Sequence, residues 1–416
     1  MTTIAVQERP GARTTLIVVL LAVAVFINYV DRGNLATAAP LMKDELRLSN
    51  TQIGLLLSAF FWTYVPGQIL AGWLSERINA YRVLAIGLAL WSAATALTGL
   101  AGGFAVLIGL RLLLGLGESA AFPCSSKLLA EFLPSHRLGG ANGLIGAGLA
   151  LGPAFGTLAG GLMMAQTGWR PVFILFGVVS LLWLWPWLMT TREASRLADA
   201  PSTEMAPSFA AIGKERSLWG ASLGHFSANY SFYFVISWLP LYLVKARGFS
   251  VSEMAELGGL IYVLYAASSL ATGWVCDRWM ASGASANLVR KAVIVTGHGG
   301  VGLCMAACAL GGPVLSVASL LLAGVFFGFN TPNIFAIGRT LAGPRAAGKW
   351  VGVQNCIGNL AGIVAPIVTG MVVDRTGLFV WAFAIAGVFG LTGMISWGVI
   401  IPSVSPVRWK TAATPA

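Results

Sequence analysis

Twelve stretches of mostly apolar residues, each long enough to cross a lipid bilayer, follow one another along this chain. They run roughly 16–40, 51–73, 83–102, 104–130, 139–163, 169–189, 217–244, 253–275, 291–311, 313–338, 349–372 and 378–401. A helical span needs about 20 such residues. Hydrocarbon offers the backbone no hydrogen bonds, so each stretch must satisfy its own as a helix. The expected fold class is an all-α membrane protein. Of the 416 residues, 57% are hydrophobic and 10% charged, whereas soluble chains carry about 25% charged residues. That balance excludes a soluble enzyme, a nucleic-acid binder and a disordered protein. The first stretch outruns a signal-peptide core and lacks a clean small-residue cleavage site, so it reads as a retained span.

The net charge of +11 is a matter of orientation. With both termini cytoplasmic, 17 of the 26 Lys and Arg fall on the inner side and 6 on the outer, the other 3 lying within spans. Cationic loops stay on the cytoplasmic side, which sets an N-in, C-in topology. The longest connection is rich in charge, Ala and Pro, and it divides the spans six and six. The expected organisation is a tail at 1–15, a six-helix bundle at 16–189, a linker at 190–216, a second bundle at 217–401 and a tail at 402–416. The five cysteines (Cys124, Cys276, Cys304, Cys308 and Cys356) have no metal-site spacing and read as thiols in apolar surroundings.

The two halves are related. At an offset of 201, Asn28-Tyr29 matches Asn229-Tyr230, and Phe61 and Tyr64 match Tyr262 and Tyr265. Gly72-Trp73-Leu74-Ser75-Glu76-Arg77 matches Gly273-Trp274-Val275-Cys276-Asp277-Arg278. Repeated halves with a substrate site between them are the build of many secondary transporters. These hexapeptides resemble the loop signature of the major facilitator superfamily. In that reading Gly72 lets helices approach closely, and Glu76, Arg77, Asp277 and Arg278 form a breakable cytoplasmic gate. Asn79 and Tyr81 depart from the signature, standing where Gly and a basic residue are common.

Five charges remain inside spans: Asp31, Arg32, Arg111, Glu118 and Lys127. Each costs about 2.5–3.5 kcal/mol at a helix centre unless it has a partner, water or a function. Lys127 is near a span end and can snorkel. Arg111 and Glu118 are seven residues apart, so they share a helix face at roughly 10 Å along the axis. Two arginines and two carboxylates form either a neutralising cluster or an anion site with proton-carrying groups. Arginine holds a carboxylate in a planar fork, and a carboxyl group in a low-dielectric site binds protons more readily. Tyr29, Tyr64, Tyr230, Tyr233 and Tyr265 offer hydroxyls on apolar bodies. In span 11, Gln354, Asn355 and Asn359 are either interhelical glue or ligand contacts. His225 in span 7 faces a cavity or packs; His136 and His298 lie apart from it.

Asn28-Tyr29-Val30-Asp31-Arg32, Arg111 through Glu118 with Phe122-Pro123, Ser237-Trp238-Leu239-Pro240 and Gly358 to Ile363 together resemble the anion:cation symporter family of the major facilitator superfamily. That resemblance implies twelve helices in two six-helix pseudo-repeats, in a bacterial cytoplasmic membrane. It implies uptake of an organic anion such as a galactonate, glucarate or hexuronate with protons as coupling ion, and no other cofactor. By it, Asp31 and Glu118 carry protons, Arg32 binds the substrate carboxylate, and Tyr29, Tyr64 and Asn355 line the pocket. Arg111 pairs with Glu118 or orients the site; Tyr230 and Asn359 complete it. Phe335 stands where sugar-acid carriers often have tryptophan, and span 5 lacks the polar side chain some of them use, which suits a substrate with fewer hydroxyls.

The partners expected are the anion, protons and the bilayer, with no nucleic acid and a monomeric chain. The competing reading is a drug:proton antiporter, suggested by Gly148-x-x-x-Gly152-Pro153-x-x-Gly156. Two intramembrane arginines disfavour a cationic cargo. No nucleotide-binding loop supports an enzyme.

Overall fold

A computed structural model describes residues 12–75, 79–132, 138–191 and 207–409. The spans are α1 (Ala12–Leu46), α2 (Asn50–Leu74), α3 (Ala80–Thr98) and α4 (Phe104–Leu129). They continue as α5 (Leu144–Thr167), α6 (Trp169–Thr191), α7 (Arg216–Leu241) and α8 (Val251–Ala281). The last four are α9 (Ala286–Leu310), α10 (Pro313–Gly343), α11 (Lys349–Thr376) and α12 (Val380–Ile400). Eleven are long and apolar enough to cross a membrane. The twelfth, α7, spans 26 residues but carries Ser222, His225, Ser227, Asn229 and Ser231, which lower its hydropathy.

Three spans differ from expectation: 169–189 is interrupted at Leu182–Trp183, 349–372 at Leu360, and the third near its middle. The stretch 104–130 breaks after Glu118 and resumes as a helix at Ala121. Pro123 has no N–H for the carbonyl of Ser119, so the ladder is interrupted there. The break sits directly beside a buried carboxylate.

The repeat is legible in the caps. Ser49 with Gln52 and Ser250 with Glu253 each form a capping box at the start of α2 and α8, 201 residues apart. Such a box satisfies two free backbone donors reciprocally. Asp44 and Lys245, also 201 apart, form an ion pair. Equivalent positions meet only at the axis relating the halves, so α1 and α7 face each other across it. Among the described residues, α2 with α11 and α5 with α8 also pair across the halves.

Close backbone approach fixes these packings. A Cβ on Gly148, Gly152 or Gly156 would meet Ala22 O at 2.7 Å, Tyr29 Cβ at 2.6 Å or Val30 O at 2.6 Å. The Gly-Pro pattern that suggested an exporter thus seats α5 on α1 as a small-residue row. Gly72 differs from expectation: a Cβ there would meet nothing nearer than Pro123 at 4.0 Å, and Gly273 faces open space. Neither glycine holds helices together in this conformation.

The core is continuous at one end and divided at the other. Away from the termini, one apolar cluster joins Leu35, Met42 and Ile53 of the first half to Phe234, Trp238 and Ala365 of the second. There Asp374 of α11 accepts from the backbone N–H of Asn50 and Thr51 at 3.0 and 2.7 Å, capping α2 across the two halves. At the end carrying the termini, one cluster gathers Leu21, Leu84 and Trp187, and a separate one Leu218, Trp350 and Trp397.

Candidate functional site

Between the halves lies a cavity of about 360 Å³, lined by residues of both. Its first-half wall holds Tyr29, Arg32, Phe60, Tyr64 and Arg111; its second-half wall holds His225, Tyr233, Asn330, Asn355 and Asn359.

Arg32 is the centre of the first wall. Its Nε donates to Glu118 Oε2 at 3.2 Å. Its Cζ lies 4.5 Å from the ring centroids of Tyr29 and Tyr64 and 5.0 Å from that of Phe60. Stacking a guanidinium among rings is worth about 0.5–2 kcal/mol per contact. It also holds the fork in one plane, and Nη2 makes no hydrogen bond within the protein. Arg32 lines the cavity, so a carboxylate entering there can meet an oriented cation.

Glu118 is fully buried and Asp31 is 2% exposed, and neither lines the cavity. Glu118 pairs with Arg32, while its Oε1 has no partner. Asp31 accepts from Thr95 Oγ at 3.1 Å and from Asn34 Nδ2 at 3.4 Å. Adjacent residues on a helix project about 100° apart, so Asp31 turns to α3 while Arg32 turns to the cavity. Arg111 is 5% exposed, lines the cavity, and lies 5.5 Å from the Phe60 ring. Of the two roles expected of Arg111, pairing with Glu118 or orienting the site, the direct pairing is not formed: the spacing along α4 separates them by two turns. Glu118 instead meets Arg32 of α1, and α4 itself closes on α2 at Gly115. A Cβ on Gly115 would meet Phe60 O at 2.1 Å.

On the second wall, Tyr233 donates to Asn359 Oδ1 at 2.8 Å, and Asn359 Nδ2 donates to the carbonyl of Asn355 at 2.9 Å. Gln354 is glue: it accepts from Trp350 Nε1 at 3.2 Å and donates to Ile334 O at 3.3 Å. Tyr230 lies outside the cavity, 1% exposed and stacked on Phe389 with centroids 4.0 Å apart. Successive residues of a helix turn by about 100°, so Tyr233, one incomplete turn further along α7, takes the cavity face that Tyr230 does not. His225 lines the cavity, edge-on to Phe335 at 5.4 Å. Leu149 and Phe335 keep their parts of the wall apolar.

Lys127 donates to Ser75 O at 2.9 Å, where a cation suits the carbonyl end of α2. Glu76 and Arg77 lie outside the described residues. Asp277 is largely exposed and 3.8 Å from Arg290, and Arg278 lies over the Trp274 ring. Both therefore contact their own half. Asn79 adopts φ 143°, a backbone region suited to the glycine usual at that place, and its side chain caps Tyr81 N. The five cysteines are free, and Cys356 alone among them is exposed. Among the described residues no three His, Cys, Asp or Glu gather as a metal site.

Sequence reasoning did not single out Phe60, Thr95 or Asn330. Thr95 carries no signal of its own in an apolar span, whereas Asn330 is a buried amide of the kind that drew notice in span 11.

The family model of the Major Facilitator Superfamily matches residues 21–363. A probable sulfoacetate transporter of Cupriavidus necator is 30% identical, covering 87% of this chain and 88% of that protein. A hexuronate transporter of Bacillus subtilis is also 30% identical, covering 96% and 97%. Among solved structures, a bacterial homologue of the human lysosomal transporter Spinster, inward-facing and unoccupied, matches with a TM-score of 0.75. It is 20% identical, covering 94% of this chain and 95% of that one, a likeness of fold. Twelve helices in related halves around a shared cavity, and a family match across most of the chain, make it a multi-pass membrane transporter and no enzyme: the chain belongs to the major facilitator superfamily.

Proposed function

We propose that the protein takes up an organic anion, a sugar acid or related carboxylate, with protons by alternating access across a bacterial cytoplasmic membrane. The carrying observation is the divided use of Arg32. One edge of its guanidinium is held by buried Glu118, and Nη2 has no partner in the protein. An arriving carboxylate competes with Glu118 for the same cation. When it wins, Glu118 loses its counter-ion in a dry site, where a charge is costly unless the group takes up a proton. Anion and proton binding then support each other, and Asp31, held by Thr95 and Asn34, supplies a second proton-binding carboxylate. With the termini in the cytoplasm, the divided end of the core faces inward. The two relatives are named for organic acids, a hexuronate and sulfoacetate.

The test is uptake of labelled D-glucuronate or D-galactonate into proteoliposomes under an imposed pH gradient. Gradient-driven accumulation is expected, with at least a tenfold loss in Arg32→Ala. In Glu118→Gln, the pH gradient is expected to stop driving accumulation while exchange of anion across the membrane persists. Undiminished gradient-driven uptake by Arg32→Ala overturns the assigned role.

A further inference from the structure

The cavity is electrically one-sided. We infer that the transported anion carries its charge at one end only, and that an extended molecule with a carboxylate at each end is rejected. The inference rests on the anion-carrier reading above and adds to it a rule for the cargo.

Arg32 and Arg111 both stand on the first half. They converge on one ring, Phe60, with their Cζ atoms 5.0 and 5.5 Å from its centroid. The second half faces them with His225, Asn229, Asn330, Thr331, Asn355 and Asn359. Among the described residues, no Lys or Arg of the second half lines the cavity. Two of those polar groups are buried: the imidazole of His225, beside the backbone of Gln354, and the amide of Asn330, beside His298. Each is 3% exposed. An amide offers two donors and an acceptor, and a neutral imidazole one of each. Such a pair matches a hydroxyl or carbonyl group, which both gives and takes hydrogen bonds.

A carboxylate placed there would have lost its water without gaining a counter-ion. Around it would stand amides and the rings of Phe327 and Phe335. An ion in such surroundings is strongly disfavoured. On the first wall the opposite holds, since two arginines share a small region. Two charges separated by two or three atoms can both reach it. The rule therefore concerns how far apart the charges sit.

The experiment uses the full chain purified in detergent at pH 7.5, above the ordinary imidazole value of about 6.5. Affinities are measured by titration calorimetry for two matched pairs. D-gluconate and D-glucarate share a six-carbon chain and differ in the second terminal group. Benzoate and terephthalate do the same on a ring. In any pair that binds, the monoacid is expected to bind at least tenfold tighter than the diacid. Asn355→Lys puts a cation on the second wall and is expected to strengthen diacid binding at least tenfold; circular dichroism and a monodisperse elution profile establish that the variant is folded. Diacid binding equal to or tighter than that of its monoacid partner overturns the inference. So does an unchanged diacid affinity in folded Asn355→Lys. Binding of none of the four acids would instead remove the anion-carrier reading itself, and the charge rule with it.

Discussion

Arg32 does two jobs with one planar group, pairing with Glu118 and packing among three rings, and its Nη2 has no partner in the protein. A lysine ammonium is a point charge on a flexible stem and cannot offer a carboxylate a fixed planar fork. Arg32→Lys is therefore expected to keep the fold and weaken anion binding about tenfold, roughly 1.4 kcal/mol, as read by titration calorimetry. The tyrosines separate by the same reasoning. Tyr230→Phe is expected to leave the apparent affinity for transport within twofold, because the ring stacks on Phe389 away from the cavity. Tyr233→Phe removes the donor to Asn359 and is expected to raise the apparent KM several-fold. At this scale the charged residues were legible because an ion in a span needs a reason. Partners were not. Nothing in the order of residues tells that Glu118 meets Arg32 of another helix in place of Arg111 on its own. Nor does it reveal that Thr95 holds Asp31.

Helices reach the site through small residues. Gly115 brings α4 against α2, and the row Gly148, Gly152, Gly156 brings α5 against α1. Gly115→Ala would drive a methyl group into the carbonyl of Phe60, since the Cβ contact is 2.1 Å. Overpacking of this kind costs about 1–3 kcal/mol. The variant is expected to melt at a lower temperature in detergent, and to lose the Arg32–Glu118 register and with it anion binding. Gly72→Ala has room, with Pro123 at 4.0 Å, and is expected to shift stability by less than about 0.5 kcal/mol in the same melting assay. Element existence was legible in apolar length alone, and even the polar α7 was found, because its neighbours fixed where a span had to be. The break after Glu118 was written in Pro123 but hidden by the continuous apolarity around it. The capping boxes at Ser49 and Ser250 were present as short patterns, and only the matched helix starts show that they repeat.

Across the molecule, the offset of 201 carried the most information. It anticipated two related bundles, and the Asp44–Lys245 pair shows where their axis runs. Which end is sealed was not legible, because the contacts that seal it join residues 201 to 324 positions apart. Asn50 and Thr51 meet Asp374 at separations of 324 and 323. Asp374→Ala removes the cap that one half places on a helix of the other. It is expected to raise labelling of a cysteine placed at Leu57, a cavity residue on α2, by an impermeant reagent applied from the side away from the termini. No change in labelling rate would show that the apolar seam alone keeps that end shut. The Asp374 cap and the Asp44–Lys245 pair are solvent-facing contacts between charges and partial charges, so mobile ions weaken them over a screening length of about 8–10 Å at ordinary salt. The buried Arg32–Glu118 pair is shielded from that effect. Higher ionic strength is therefore expected to loosen the seal while leaving the Arg32–Glu118 pair intact.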